Sequence, residues 1–208
     1  MTEVEITNRE TRTFLRSLPW GDLSGELVMD VGCGYGNMST QCILERFPRA
    51  SRVIAIDQSS ECIQRSKVEF RNGIFKKAQF KKANVTVMRH LRRWEGKISK
   101  IVSAHCLSEI EKKERAFKVM YELLKPGGQA ALLFTGRSQS DDVYAAMLQN
   151  PKWSPYFTVL FGYRDHEAKF TNLQESRQLL AYTGYNIANV RVGDNSEKQA
   201  PTHGPYNQ

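Results

Sequence analysis

The sequence predicts an α/β protein in three layers, with a mostly parallel sheet between helices on both faces. Short apolar segments alternate with longer amphipathic ones, β-α-β-α-β-α-β-α-β, a pattern that calls for parallel strands and right-handed crossovers. The segments Leu27 to Val31 and Arg52 to Asp57 are nearly continuous in apolar residues, as strands buried on both faces are. Between the first strand and the first helix lies a turn with glycine at every second position, Gly32-Cys33-Gly34-Tyr35-Gly36.

The elements follow in order. Met1 to Asn8 is polar and is expected to fray. Arg9 to Leu18 places Phe14, Leu15 and Leu18 at helical spacing, and Pro19-Trp20-Gly21 ends that helix. Leu27 to Val31 is the first strand. Asn37 to Phe47 is the first crossover helix, with Met38, Cys42, Ile43, Leu44 and Phe47 inward, stopped by Pro48. Arg52 to Asp57 is the second strand. Ser59 or Ser60 caps the next helix, with Ile63 and Phe70 as core candidates and Asn72-Gly73 as its end.

Gln79 to Val85 is a third strand, polar enough to lie near an edge. His90 to Gly96 is loop or short helix, and Ile98 to Ala104 a fourth strand. Lys112 to Leu124 is a helix whose apolar stripe is Ala116, Phe117, Met120, Leu123 and Leu124, closed by Pro126-Gly127-Gly128. Ala130 to Thr135 is the fifth strand. Asp141 to Leu148 and Thr171 to Tyr182 read as helices, with an aromatic stretch from Trp153 to Tyr163 between them. Asn186 to Val192 reads as a sixth strand.

The domain organisation expected is one domain over 1–192. Within it, 1–22 forms an N-terminal helix or lid and 137–185 forms substrate-covering helices. Residues 193–208 are a polar tail expected to be disordered.

The 208 residues suffice for one full core, and a hydrophobic content of 40% with 25% charged residues fits a globular domain. No run approaches the ~18 apolar residues of a membrane span. The N-terminus lacks a secretory signal, so the expected compartment is the cytoplasm. Cys33, Cys42, Cys62 and Cys106 have no zinc or redox spacing and read as reduced thiols. No metal-binding cluster is expected. The formal net charge is +8, and the stretch Glu61 to Lys100 alone holds 12 Lys and Arg against 3 Asp and Glu. Such a stretch is a solvated face or a patch for an anionic partner.

A glycine-rich strand-turn-helix presents unpaired N–H groups and a positive dipole end to a ligand. A phosphate loop would continue to a Lys-Ser/Thr pair or a third glycine three residues on, and this one has neither. Asp57 follows Gly36 by 21 residues, at the end of the second strand. That is where a carboxylate can accept hydrogen bonds from a ribose diol.

Three motifs in this order resemble those of the class I S-adenosylmethionine-dependent methyltransferases, which have a Rossmann-like sheet: Val28 to Gly36, Val53 to Asp57 and Leu123-Leu124-Lys125-Pro126-Gly127-Gly128. The resemblance implies S-adenosyl-L-methionine as cofactor. It implies a binding set of Asp30, Gly32, Cys33, Gly34, Tyr35, Gly36, Asp57, Gln58, Asn84, Val85 and Ser103. Gly32, Gly34 and Gly36 would pass the methionine moiety and Asp57 would hold the ribose. Asn84 stands where many members place an Asp near the adenine amino group, and would accept through its amide oxygen.

A narrower resemblance, through Lys100 to Leu107 and Pro151 to Tyr156, is to the juvenile hormone acid methyltransferases. It implies a small apolar carboxylic acid, of the farnesoic acid kind, as methyl acceptor. The chain departs from that family at Cys106-Leu107-Ser108-Glu109, where a Trp is expected, and in having no Gln ahead of the glycine turn. It is also expected to lack the last antiparallel strand. A carboxylate acceptor needs little acid-base help, whereas a hydroxyl or amine wants a base. His105 and Glu109 are the candidate catalytic residues. The alternatives are a cofactor-binding pseudoenzyme and, less favoured for want of an Asn-Pro-Pro-Tyr motif, a nucleic-acid methyltransferase.

Overall fold

The structure, a computed structural model, describes residues 3–36, 38–136, 143, 146–147, 149–155 and 172–193. Five parallel strands form one sheet: β1 (Leu27–Val31), β2 (Arg52–Asp57), β3 (Ala78–Lys82), β4 (Ile98–Ala104) and β5 (Leu124–Leu133). Their order is β3-β2-β1-β4-β5, so the connections reverse direction at β1 and β4. The register runs Met29 to Ile54 on one side of β1 and Met29 to Ile101 on the other.

Side chains alternate across the sheet, and β1 shows how this builds the layers. Val28 points to the face covered by α1 (Glu3–Arg16) and α2 (Ser39–Arg46), beside Leu15, Ile43, Leu44 and Phe47. Met29 and Val31 point to the opposite face, against α4 (Lys113–Leu123) through Phe117, Met120 and Leu123. The helix α3 (Ser60–Glu69) covers the β3 side through Ile63, which packs with Ala55 and Phe80. Its N-cap Ser59 accepts from the Cys62 N–H, as the sequence suggests. The last described helix, α5 (Leu173–Tyr182), lies against α4 and starts with a capping box of Asn172 and Glu175.

Four expectations are corrected. The N-terminal helix starts at Glu3 and leaves no frayed segment over residues 3–8. It is held by contacts the local sequence does not reveal: Leu15 and Thr11 are fully buried, and Arg12 pairs with Glu45 of α2. The third strand ends at Lys82, because Asn84 to Val87 closes into a turn with Val87 N–H donating to Asn84 O. Pro126-Gly127-Gly128 is no spacer between helix and strand. β5 begins at Leu124 opposite Ile98 and resumes at Gln129 opposite Lys100, so the Pro-Gly-Gly run is an irregularity within the strand. Residues 186–192 form no strand, and none of them is buried. Tyr185 instead anchors the chain to α4, with its hydroxyl donating to Phe117 O at 3.2 Å.

Among the described residues no antiparallel strand is present, and no helix is long and apolar enough to cross a membrane. The expected helix at 141–148 falls largely outside the described residues. So do Tyr156 to Tyr163 of the aromatic stretch and the tail beyond residue 193.

Candidate functional site

In an open parallel sheet, ligands bind at the carboxyl ends of the strands where the strand order reverses. Here that point lies between the carboxyl ends of β1 and β4, flanked by the glycine turn after β1 and by His105 and Cys106 after β4.

The glycine turn is tied to β2 by two hydrogen bonds, from Gly32 and Cys33 N–H to Ile56 O at 2.9 and 3.0 Å. Gly32, Gly34 and Gly36 all have positive φ, of 77°, 52° and 76°. Their surroundings differ. A Cβ on Gly32 would collide with the Cys106 side chain, and one on Gly36 would come within 2.7 Å of the Phe80 ring. Those two glycines make room for the protein's own packing. Gly34 has nothing within 4 Å of such a Cβ and is the loop position open to a ligand. Tyr35, beside it, is exposed and lies under the Arg65 guanidinium at 4.9 Å.

Asp30 is fully buried beneath the turn. Its Oδ2 accepts from Ser39 Oγ at 2.8 Å and Thr40 Oγ1 at 2.5 Å, at the start of α2. Its Oδ1 has no hydrogen-bond partner. Burial pushes the Asp30 carboxyl up to about 6, against the pull of the two hydroxyls. An orphaned buried carboxylate oxygen fits a cationic ligand, and the cofactor implied by the sequence carries an ammonium and a sulfonium.

Asp57 accepts from Gly34 N–H at 2.9 Å on one oxygen and Ser59 N–H at 2.8 Å on the other. Each oxygen keeps a second lone pair, so a diol can still bind. Gln58 next to it is exposed, while Val85 is buried. Asn84 departs from expectation. Its Oδ1 already accepts from Thr86 N–H and Thr86 Oγ1, both at 2.8 Å. A backbone N–H can only donate, which fixes the amide orientation. What Asn84 offers outward is its NH₂, a donor rather than the expected acceptor. Ser103, fully buried, gives its hydroxyl proton to Val31 O at 3.1 Å, so it joins β4 to the end of β1. Cys33 is buried and its thiol is pushed far up by desolvation.

After β4, His105 adopts φ 61°, one of two non-glycine residues described with positive φ. Its N–H donates to Leu133 O at 2.7 Å, which pins it to β5. Backbone strain of this kind costs about 1–3 kcal/mol and clusters at functional sites. His105 Nε2 is buried without a hydrogen-bond partner and lies 4.0 Å from Glu10 Oε2 on α1. Burial lowers the imidazole pKa, favouring the neutral ring. Cys106 is pushed up to about 12, mainly by burial. The turn Leu107–Glu109 then carries Glu109 out to solvent. The two candidate catalytic residues therefore part: His105 turns toward Glu10 of α1, and Glu109 is exposed.

Sequence reading missed Glu10, Ser39, Thr40 and Thr86. A Ser-Thr pair at the head of the helix that follows a buried aspartate was a usable signal for two of them. Nothing local marks Glu10.

The chain belongs to the methyltransferase domain family, whose model matches residues 22–154. Its fold is the Rossmann-like fold of the S-adenosylmethionine-dependent methyltransferases. Among characterised proteins it is similar to the juvenile hormone acid O-methyltransferase of Drosophila melanogaster, 24% identical over 181 residues, covering 86% of this chain and 60% of that protein. The chain thus spans less than two thirds of that relative's length. Similar solved structures include phosphoethanolamine N-methyltransferase 2 of Haemonchus contortus with phosphomonomethylethanolamine and S-adenosylhomocysteine. There the TM-score is 0.62 and identity 15%, over 85% of this chain and 37% of that one. A geranyl diphosphate methyltransferase bound to S-adenosylmethionine gives a TM-score of 0.60 at 17% identity, over 85% of this chain and 64% of that one.

Proposed function

We propose that the protein is an S-adenosylmethionine-dependent methyltransferase that esterifies a small, apolar carboxylic acid. The observation that carries this reading is His105: a half-buried imidazole whose pKa burial lowers, at the carboxyl end of β4 beside the glycine turn, with an enclosed Nε2 that has no hydrogen-bond partner. As an N–H donor it can hold one oxygen of an acceptor carboxylate and leave the other free to react. When bound, the cofactor supplies an electrophilic methyl group on a sulfonium. Asp30, Gly34 and Asp57 would hold that cofactor, and it would supply the methyl group to an acceptor oxygen aligned by His105.

The chain's own residues bind and align. Asp30 Oδ1 offers a site for the ammonium, Gly34 lets the ligand approach the backbone, and Asp57 holds the ribose hydroxyls. Alignment of this kind can supply effective molarities up to ~10⁸ M, so no triad is needed. The helix α1 acts as the lid over the acceptor side. Glu109, at the position where the family's Trp is expected, is exposed, so solvent screens its charge from an acceptor carboxylate. The Drosophila relative's name points to the same acceptor class. The four cysteines are free thiols, which favours a reducing compartment such as the cytoplasm.

A second reading has one observation in its favour. The Glu10 carboxylate near His105 Nε2 suits an acceptor with a proton to give, a hydroxyl or amine, with His105 as base. Calorimetry with S-adenosylmethionine tests both, and no binding at millimolar cofactor sinks both. Methyl ester formed from farnesoic acid, lost in His105→Ala, supports the first reading. Cofactor binding without transfer to the acid counts against it and leaves a pseudoenzyme or another acceptor.

A further inference from the structure

The strand order leaves β3 at the edge of the sheet, and the chain around it carries the basic stretch that the site does not use. From Lys67 to Lys77 this stretch makes a corner at the end of α3. Phe70 and Phe75 close it from inside, with ring centroids 4.3 Å apart, and Phe70 stacks in turn on Phe80. Lys77 Nζ donates to Pro48 O at 2.6 Å and Ala50 O at 3.3 Å, which clamps the corner to the connection before β2. The corner is therefore a fixed platform, and its outward residues are set by that packing.

Those outward residues are Lys67, Val68, Arg71, Ile74 and Lys76, all exposed. Val68 is 63% exposed and Ile74 43%, large fractions for aliphatic side chains. The acid on this part of α3, Glu69, is paired with Arg65 at 2.6 Å. Arg52, exposed at the start of β2, adds charge where β2 and β3 begin, one residue before the Val53–Ala78 pair. Cations thus flank two projecting aliphatic side chains on one rigid corner.

We infer that this corner is a docking surface for an anionic membrane. Charge complementarity selects a polyanionic partner, and each lysine or arginine near an anionic bilayer adds to the attraction. The aliphatic tips decide which polyanion. Val68 and Ile74 gain by entering the boundary between headgroups and acyl chains, as the apolar faces of interfacial elements do. A single-stranded nucleic acid would instead want aromatic faces for its bases, and the rings at this corner, Phe70 and Phe75, are spent on each other. Membrane docking does not depend on the acceptor's identity, although a membrane is where an apolar acid would collect.

The test is co-sedimentation of the full chain with vesicles of phosphatidylcholine containing 30% phosphatidylserine, and with phosphatidylcholine alone, at about 0.1 M salt. Binding is expected to the anionic vesicles only. Lys67→Glu with Lys76→Glu is expected to weaken it at least about tenfold. Val68→Ser with Ile74→Ser is expected to weaken it about three- to fivefold without changing charge. Unchanged thermal melts and cofactor calorimetry check that the variants fold. Absence of binding to anionic vesicles, or equal binding to neutral ones, overturns the inference. So does insensitivity to the serine pair, or tighter binding to a 30-nucleotide RNA that the serine pair leaves intact.

Discussion

His105 Nε2 stands 4.0 Å from Glu10 Oε2, so a helix at the front of the chain and the end of the fourth strand meet at one imidazole. Two influences oppose each other there. Burial favours the neutral ring, while the nearby carboxylate favours the charged one, and burial wins, lowering the pKa from 6.5. Glu10→Gln removes the opposing charge, so the His105 pKa falls further, read by NMR titration of the imidazole protons. A group with a depressed folded pKa of this basic kind stabilises the fold above pH 6.5. That contribution is lost as pH falls from 6.5 through the folded value. His105 titrating above 6.5 in the wild type would mean that Glu10 outweighs burial.

The same substitution separates the two acceptor classes. An acceptor carboxylate competes with Glu10 for His105, so Glu10→Gln lowers KM for farnesoic acid severalfold with kcat nearly unchanged. If His105 is instead a base oriented by Glu10, the substitution lowers kcat tenfold or more on a hydroxyl or amine acceptor. The wild-type rate then rises with pH to a plateau through an apparent pKa below 6.5. Steady-state kinetics at pH 5.5 and 7.5 distinguishes the outcomes.

Asp30 carries a pH dependence of opposite sign. Its folded pKa is raised from 3.8 to about 6 by burial, so its protonated form is the one the fold prefers. The stability it contributes is full below pH 3.8 and is lost as pH rises through about 6. A rise of that size is worth about 3 kcal/mol between those limits. Asp30→Asn keeps an acceptor for Ser39 and Thr40 but carries no charge. Urea unfolding at pH 8 should show the variant about 1–2 kcal/mol more stable, with calorimetry showing cofactor affinity at least tenfold weaker. A variant that loses stability at pH 8 shows that the carboxylate is needed by the fold rather than by the ligand.

The sheet was legible because its signals are local. Leu27 to Val31 and Arg52 to Asp57 are nearly continuous in apolar residues, and each forms the strand its residues predict, as Ile98 to Ala104 does. The spacing also put Asp57 at the end of the second strand beside the glycine turn, where it accepts from Gly34 N–H. What local signals miss is decided by distant partners. Glu10 reaches His105 across 95 residues with no periodicity to mark it. The early start of β5 depends on Ile98 as a ladder partner for Leu124, whereas Pro126-Gly127-Gly128 alone reads as a break. Residues 186–192 alternate weakly and would suit a strand, yet among the described residues none of them is buried.

The three glycines of the turn should separate by substitution. Gly32→Ala places a Cβ against the Cys106 side chain at φ 77° and should cost about 2–4 kcal/mol of stability. Gly34→Ala meets nothing within 4 Å and pays only for its φ of 52°, about 1–2 kcal/mol. Its effect should fall on the cofactor, with affinity lowered tenfold or more. Urea melts beside calorimetry on both variants check the division. Cofactor losses that simply track lost stability in both variants would show that Gly34 has no ligand role.

Asn84 is the position where the structure changes the chemistry read from the sequence. Its amide oxygen is taken by both donors of Thr86, so the native residue can only donate toward an adenine. Asn84→Asp keeps both Thr86 bonds on one oxygen and frees the other as an acceptor for the adenine amino group. Stability should change by less than about 0.5 kcal/mol. S-adenosylmethionine affinity should rise about three- to tenfold, the worth of one added charge-assisted hydrogen bond after desolvation. Asn84→Ala loses the turn as well and should cost about 1 kcal/mol. Tighter binding in the Asp variant, measured by calorimetry, would place the adenine amino group at this residue. Weaker binding would show that Asn84 NH₂ donates to a ring nitrogen instead.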